Sequence, residues 1–153
     1  MRKNEIIVAI LEKLREAFEN RRRVSRNIRD SGNDAESKSE GKYDTRSTEE
    51  NYLADGLARQ ALAAAEAAAA IEKMQVRPFA PGDPIDTGAL VELRFPGASE
   101  WFLMASAGGG IEVLCDGKMV TVLAHDSPLG SQLMGLHVGE CTRKPKTSVS
   151  RVL

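Results

Sequence analysis

Four carboxylates, Asp34, Glu36, Glu40 and Asp44, sit close together in a polar stretch of this chain. Carboxylates in such a group can do hydrolytic chemistry. Two of them supply hard oxygen ligands to a Mg²⁺ ion, and a water on that ion is oriented and made more acidic. Glu36 and Glu40 would share one face if the stretch were helical. The plain alternative is a solvated loop of acids and lysines. A run of cations, Arg21, Arg22, Arg23, Arg26 and Arg29, precedes the acids with Asp30 as its nearby counter-charge. Such a run can neutralise phosphates. It can equally lie along a helix and pair with Glu49 or Glu50. Cys115 and Cys141 form no CxxC, and no histidine pair accompanies them, so two buried reduced thiols are expected rather than a zinc site. His125 and His137 have no ligand partner in sequence and read as structural, and Trp101 and Phe102 read as core.

The elements that must position these residues follow from periodicity. Over residues 4–28, Ile7, Leu11, Leu14 and Phe18 step by four and three, with Ile10, Val24 and Ile28 extending the stripe, which predicts a helix with one apolar face. Residues 30–47 lose the periodicity and carry glycines and short polar side chains, which predicts an acidic tip loop. Ser47 and Glu50 have the spacing of a capping box. Leu53, Leu57, Ala61, Ala64, Ala68 and Ile71 then mark a second helix over 48–75, rich in alanine. Neither stripe can be buried alone, so an antiparallel helical hairpin over residues 1–77 is the economical solution.

Prolines at 78, 81 and 84 predict a linker over 78–84. Residues 85–153 change to period-two alternation, with strands expected over 89–95, 101–107, 111–115, 118–124, 137–143 and 147–153. Asp116-Gly117 is a two-residue hairpin turn. Ser127 and Pro128 have the identities of an N-cap and first helical residue, and Gly135 is placed to end the short helix they open. The expected class is α+β: a helical hairpin followed by a small antiparallel sheet domain with one short helix.

Composition excludes several alternatives. The chain has 153 residues and a formal net charge of -1, enough for one domain or two small ones and without a global basic field. No window reaches the roughly 18 apolar residues of a membrane helix. The start is charged and amphipathic, with Glu5 and Glu12, so a cytoplasmic protein with no membrane partner is expected.

The stretch from Ser127 to Glu140, Ser-Pro-Leu-Gly-Ser-Gln-Leu-Met-Gly-Leu-His-Val-Gly-Glu, resembles the signature of Gre-type transcription factors. The hairpin expected upstream resembles that family's antiparallel coiled coil. The resemblance implies an FKBP-like fold for residues 85–153. It implies docking on RNA polymerase through Ser127, Pro128, Leu129, Gly130, Gln132 and Gly135, with the hairpin tip entering the secondary channel. There Asp34, Glu36, Glu40 and Asp44 would support the polymerase's own Mg²⁺ in cleaving backtracked transcripts, and the arginine run would contact nascent RNA. The free protein is then expected to be a monomer, to bind no metal or cofactor of its own and to be no enzyme by itself. The family's tip reads Gly-Asp-Leu-x-Glu-Asn-x-Glu-Tyr. Here Glu40 and Tyr43 align with it, but the Asp-Leu-x-Glu spacing is absent, and Glu140 stands for the usual Asp. Three other functions stay open: a secondary-channel regulator without cleavage, an FKBP-like peptidyl-prolyl isomerase, and a coiled-coil adaptor.

Overall fold

The computed structural model describes the backbone of residues 1–36 and 45–153 and the side chains of 1–31 and 48–153. Helix α1 runs Lys3–Glu36 and helix α2 Thr45–Glu72. The strands are β1 Leu90–Phe95, β2 Ala98–Ala105, β3 Glu112–Cys115, β4 Lys118–Ala124 and β5 Ser148–Val152, with helix α3 at Pro128–Leu133 before the last strand. The chain forms two compact units. One comprises residues 14–66, and the other comprises residues 1–13 with 67–153. The division therefore falls inside both long helices rather than at the proline-bearing stretch 78–84.

Within residues 14–66, α1 and α2 form the expected antiparallel hairpin. The buried Ser25 hydroxyl donates to the Ala54 carbonyl at 2.8 Å, so the helices are close enough there for a short side chain to reach the facing backbone. Beside that contact, Val24, Ile28 and Ser31 of α1 share an open cleft of about 400 Å³ with Leu53 and Glu50. The buried stripe of α2 is carried by Ala54, Ala61 and Ala64, while Leu53 is 57% exposed. That places the contact one residue away from the Leu53 position expected from periodicity. The first helix does not stop at 28 but continues through 30–36, because neither Gly32 nor the short polar residues there break a helix as proline would. The second begins at Thr45, so the backbone of Ser47 lies inside the helix rather than at its N-cap position.

The sheet unit has strand order β3-β4-β2-β1-β5. β1 is antiparallel to β2 and β5, and β3 to β4, but β2 and β4 pair in parallel from Trp101↔Val120 to Ala105↔Ala124. The sheet is thus mixed, not wholly antiparallel. The turn between β3 and β4 has positive φ at both Asp116 (50°) and Gly117 (71°), the twist a two-residue hairpin needs. One face carries Val91, Leu93, Phe102 and Met104, covered by Leu133 of α3 together with Phe79 and Ile85. Phe79 and Ile85 make the stretch around 78–84 part of the core rather than a free tether. The other face carries Leu90, Leu103, Val120 and Val122, all fully buried, and the same unit buries Ile6, Ile10 and Ile71 from its helix segments. Gly108 lies so close to Ile71 that a Cβ there would stand 3.1 Å from its Cδ1. Lys3 Nζ donates to the carbonyls of Arg77 (2.6 Å) and Gly88 (3.0 Å), and Lys13 Nζ to that of Glu112.

The strand expected over 137–143 is absent. Glu140 Oε2 accepts the His137 N–H at 2.6 Å and Gly139 takes φ 92°, so the segment turns, leaving only a Cys141↔Ser148 bridge. Trp101 and Phe102 are buried as expected, and Phe102 packs tilted against Phe95. Among the described residues, no helix is long and apolar enough to cross a membrane.

Candidate functional site

The residues Ser127 to Gly135 come together on α3 as their identities require. Ser127 is the N-cap: its hydroxyl accepts the Gly130 N–H at 3.0 Å and donates to the Ala124 carbonyl at 2.7 Å. Pro128 takes the first helical position, where its missing N–H costs nothing. Gly130 is buried, and a Cβ there would stand 2.0 Å from the Ala124 carbonyl oxygen. Only glycine lets α3 rest on the end of β4. Leu129 and Leu133 pack into the core, and Gly135, with φ 83°, ends the helix and donates its N–H to the Ile85 carbonyl at 2.8 Å.

Gln132 has a role the sequence does not reveal. Its Nε2 donates to the carbonyls of Pro128 (3.0 Å) and Lys144 (2.7 Å), and its Oε1 accepts the N–H groups of Arg143 (3.1 Å) and Lys144 (3.3 Å). The half-buried amide therefore fastens the 143–146 loop to α3. Its loop partners, Arg143 and Lys144, lie more than ten residues away in sequence, and no local pattern announces them. Of the six residues expected at a docking surface, only Pro128 and Gly135 are exposed. The others mostly build the helix and its neighbours.

The arginine run lies on the last part of α1. Arg22, Arg23, Arg26 and Arg29 are exposed and Arg21 half-buried. Arg29 pairs with Asp55, Arg23 donates to Asn20 at 3.3 Å, and Arg22 lies over the Phe18 ring at 5.8 Å. No ion pair among the described residues engages Arg21 or Arg26. Of the tip carboxylates, Asp34 and Glu36 fall on the last turns of α1 by backbone, but their side chains, like Glu40 and Asp44 altogether, lie outside the described residues.

The sequence reading missed one donor group. Glu5, Cys115 and Asp116 each bring a possible ligand atom within 4.8 Å of the others. Its charges are already balanced. The Met1 ammonium stands 3.5 Å from Asp116, and Arg2 pairs with Glu5 at 3.2 Å. Burial, then Asp116 and Glu5, push the Cys115 thiol upward, which keeps it protonated. Cys115 is buried and free as expected, but Cys141 is exposed, its side chain turned out from the single bridge at the sheet edge. His137 is also exposed, with Nδ1 3.2 Å from Glu140 Oε2. The backbone and ring N–H groups of His137 hold the Glu140 carboxyl below its usual range.

No protein-family model and no curated protein sequence matches the chain. Solved structures similar to it include GreA factor homolog 1 (Gfh1) of Thermus thermophilus, at 20% identity over 97% of this chain and 93% of that one, with a TM-score of 0.37. A structure of the transcription factor Gfh1 matches at 20% identity over 94% of this chain and 93% of the other, with a TM-score of 0.35. Gfh1 of Thermus aquaticus matches at 21% identity over 94% of each chain, with a TM-score of 0.33.

Proposed function

We propose that this chain is a Gre-type transcription factor that docks on RNA polymerase through its sheet unit and places its helical hairpin in the secondary channel. The observation that carries the reading is the fit between the Ser127–Glu140 signature and its surroundings. Ser127 caps, Gly130 admits the β4 carbonyl, and Gly139-Glu140 makes the exit turn, so the resemblance reaches beyond residue identity into what each residue does. The long α1 and α2 supply the expected hairpin. At roughly 1.5 Å per residue α1 is about 50 Å long, enough to probe a channel.

In this reading the protein is no enzyme by itself and holds no cofactor. Asp34, Glu36, Glu40 and Asp44 would lend carboxylate oxygens to Mg²⁺ in the polymerase active site and orient a water toward the RNA phosphodiester, which then breaks at its P–O bond. Arg21, Arg22, Arg23, Arg26 and Arg29 would neutralise phosphates of the extruded RNA. The lost Asp-Leu-x-Glu spacing favours a second reading, a regulator that occupies the channel without stimulating cleavage.

The test is copurification with core RNA polymerase followed by a cleavage assay on a stalled, backtracked complex. Binding with cleavage that Glu40→Ala abolishes and high Mg²⁺ partly restores establishes the first reading. Binding in competition with an authentic cleavage factor, but without cleavage, establishes the second. A protein that neither binds nor competes is not a factor of this type.

A further inference from the structure

We infer that the loop 143–146 is a preformed docking site for an acidic segment of a protein partner, a conclusion that rests on the polymerase-docking reading and specifies its contact. Arg143, Lys144 and Lys146 are three cations in a four-residue loop, and all three are exposed. The loop is closed at its base by two buried threonines. Thr142 donates its N–H to the Thr147 carbonyl at 2.9 Å, Thr147 donates its N–H to Thr142 Oγ1 at 3.3 Å, and that hydroxyl donates to the Pro145 carbonyl at 2.6 Å. Thr147 Oγ1 in turn donates to the Arg94 carbonyl at 2.8 Å, which ties the base to β1. From the other side, the Gln132 amide engages the backbone of Arg143 and Lys144 through three hydrogen bonds. The backbone freedom of the loop is therefore lost on folding rather than on binding, which favours association.

Among the described residues none of the three cations forms an ion pair. The nearest acid in sequence, Glu140, is turned onto the His137 N–H. Their field faces outward on a chain whose formal net charge is -1, so it is local rather than global. A nucleic-acid strand gains from a longer track of cations matched to successive phosphates. A compact cluster of aspartates and glutamates on a protein surface fits one short rigid loop, and such complementarity acts on encounter rate and orientation. Gln132 is then a positioning residue: it presents the cations and does not itself meet the partner.

The test uses the full chain and core RNA polymerase, with binding measured across ionic strength. The triple substitution Arg143→Gln, Lys144→Gln and Lys146→Gln changes only exposed side chains. It is expected to weaken binding about tenfold or more at low salt and to flatten the salt dependence. Gln132→Ala keeps the cations but frees the loop, so affinity is expected to fall several-fold while the salt slope stays that of the wild type. Thermal unfolding of Gln132→Ala, expected to stay cooperative and close to wild type, separates freeing of the loop from loss of folded protein. If the wild type binds and the triple variant binds equally with the same slope, the inference is overturned while the docking reading stands. If the wild type does not bind polymerase at all, both fall. If the triple variant loses affinity for single-stranded RNA but not for polymerase, the loop is a nucleic-acid contact and the acidic protein partner is wrong.

Discussion

Among the described residues between Leu14 and Glu66 the buried side chains are mostly small: Ala54, Ala61 and Ala64, with Leu14 and the hydroxyl of Ser25. The sheet unit instead buries Ile85, Leu90, Leu93, Leu103 and Met104 to 1% exposure or less. Large apolar residues of α2, Tyr52, Leu53 and Leu62, stay more than half exposed. The hairpin thus draws its order from helix propensity and from backbones brought close by alanine, with few side chains that must fit. The sheet unit depends on interlocking contacts between different elements and loops, such as Gly130 under Ala124 and Gln132 on Lys144. One glycine substitution should act with opposite sign in the two.

Gly130→Ala has the largest expected effect. Its new Cβ would need the Ala124 carbonyl oxygen to move from 2.0 Å, and the Ser127 hydroxyl stands at 2.9 Å. That oxygen also accepts the Ser127 hydroxyl proton, so relief by shifting β4 breaks the cap. A loss of about 3 kcal/mol or more is expected. Denaturant unfolding followed at Trp101, which lies in the sheet unit, would measure it. A loss below about 1 kcal/mol would mean the end of β4 yields easily and the contrast between units is overstated.

Gly56→Ala tests the other side. Gly56 lies within α2, and a Cβ there meets nothing within 4 Å. Alanine in a helix interior is favoured over glycine by roughly 0.5–1 kcal/mol, so stabilisation of that size is expected. Slower amide exchange in the hairpin would report it. Destabilisation would show that the hairpin has a fitted surface at Gly56 after all.

The same contrast explains what the sequence reveals and what it conceals. Helical periodicity is local, so both long helices are legible from their stripes. Their ends are less so, because residues 30–36 lack periodicity without containing a breaker, and helix propagation continues past them. Ala61, Ala64 and Ile71 of the expected α2 stripe are buried, but its first position moves from Leu53 to Ala54. A close backbone approach favours the smallest side chains, whereas reading by hydrophobicity selects Leu53. Asp116-Gly117 and Ser127-Pro128 are legible because each sets its own backbone geometry. The parallel β2–β4 pairing is not, since alternation identifies a strand and not its neighbour. Residues 137–143 alternate like a strand, yet the Glu140 carboxylate captures the His137 N–H and turns the chain. The Ser127–Glu140 signature is visible as a string of residues. That Gln132 clips a loop follows only from chain segments brought together by the fold.

The smallest effect is expected from pH, and it too separates the two units. Among the described residues every resolved pKa displacement, at Lys3, Asp83, Cys115 and Glu140, lies in the sheet unit and none in residues 14–66. The Lys3 ammonium is lowered from 10.5 to about 8, first by burial and then by the nearby Arg77, although it donates to two carbonyls and lies over the Phe79 ring. Between these values the unfolded chain holds the Lys3 proton and the folded chain releases it. The unfolded state then binds more protons, so this group's contribution to stability rises from pH 8 to 10.5 and is lost again as pH falls through 8. The Cys115 thiol, raised above 9.0, has the opposite slope above that pH, so wild type alone is an ambiguous readout. Comparing wild type with Lys3→Met cancels Cys115, which both proteins retain. The stability of wild type minus that of the variant should climb across the window, modestly because the ammonium is partly open to solvent. Amide exchange in the hairpin, corrected for its intrinsic pH dependence, should not follow it. A flat difference would mean that the two carbonyls and the Phe79 ring fully offset the cost of burying the charge.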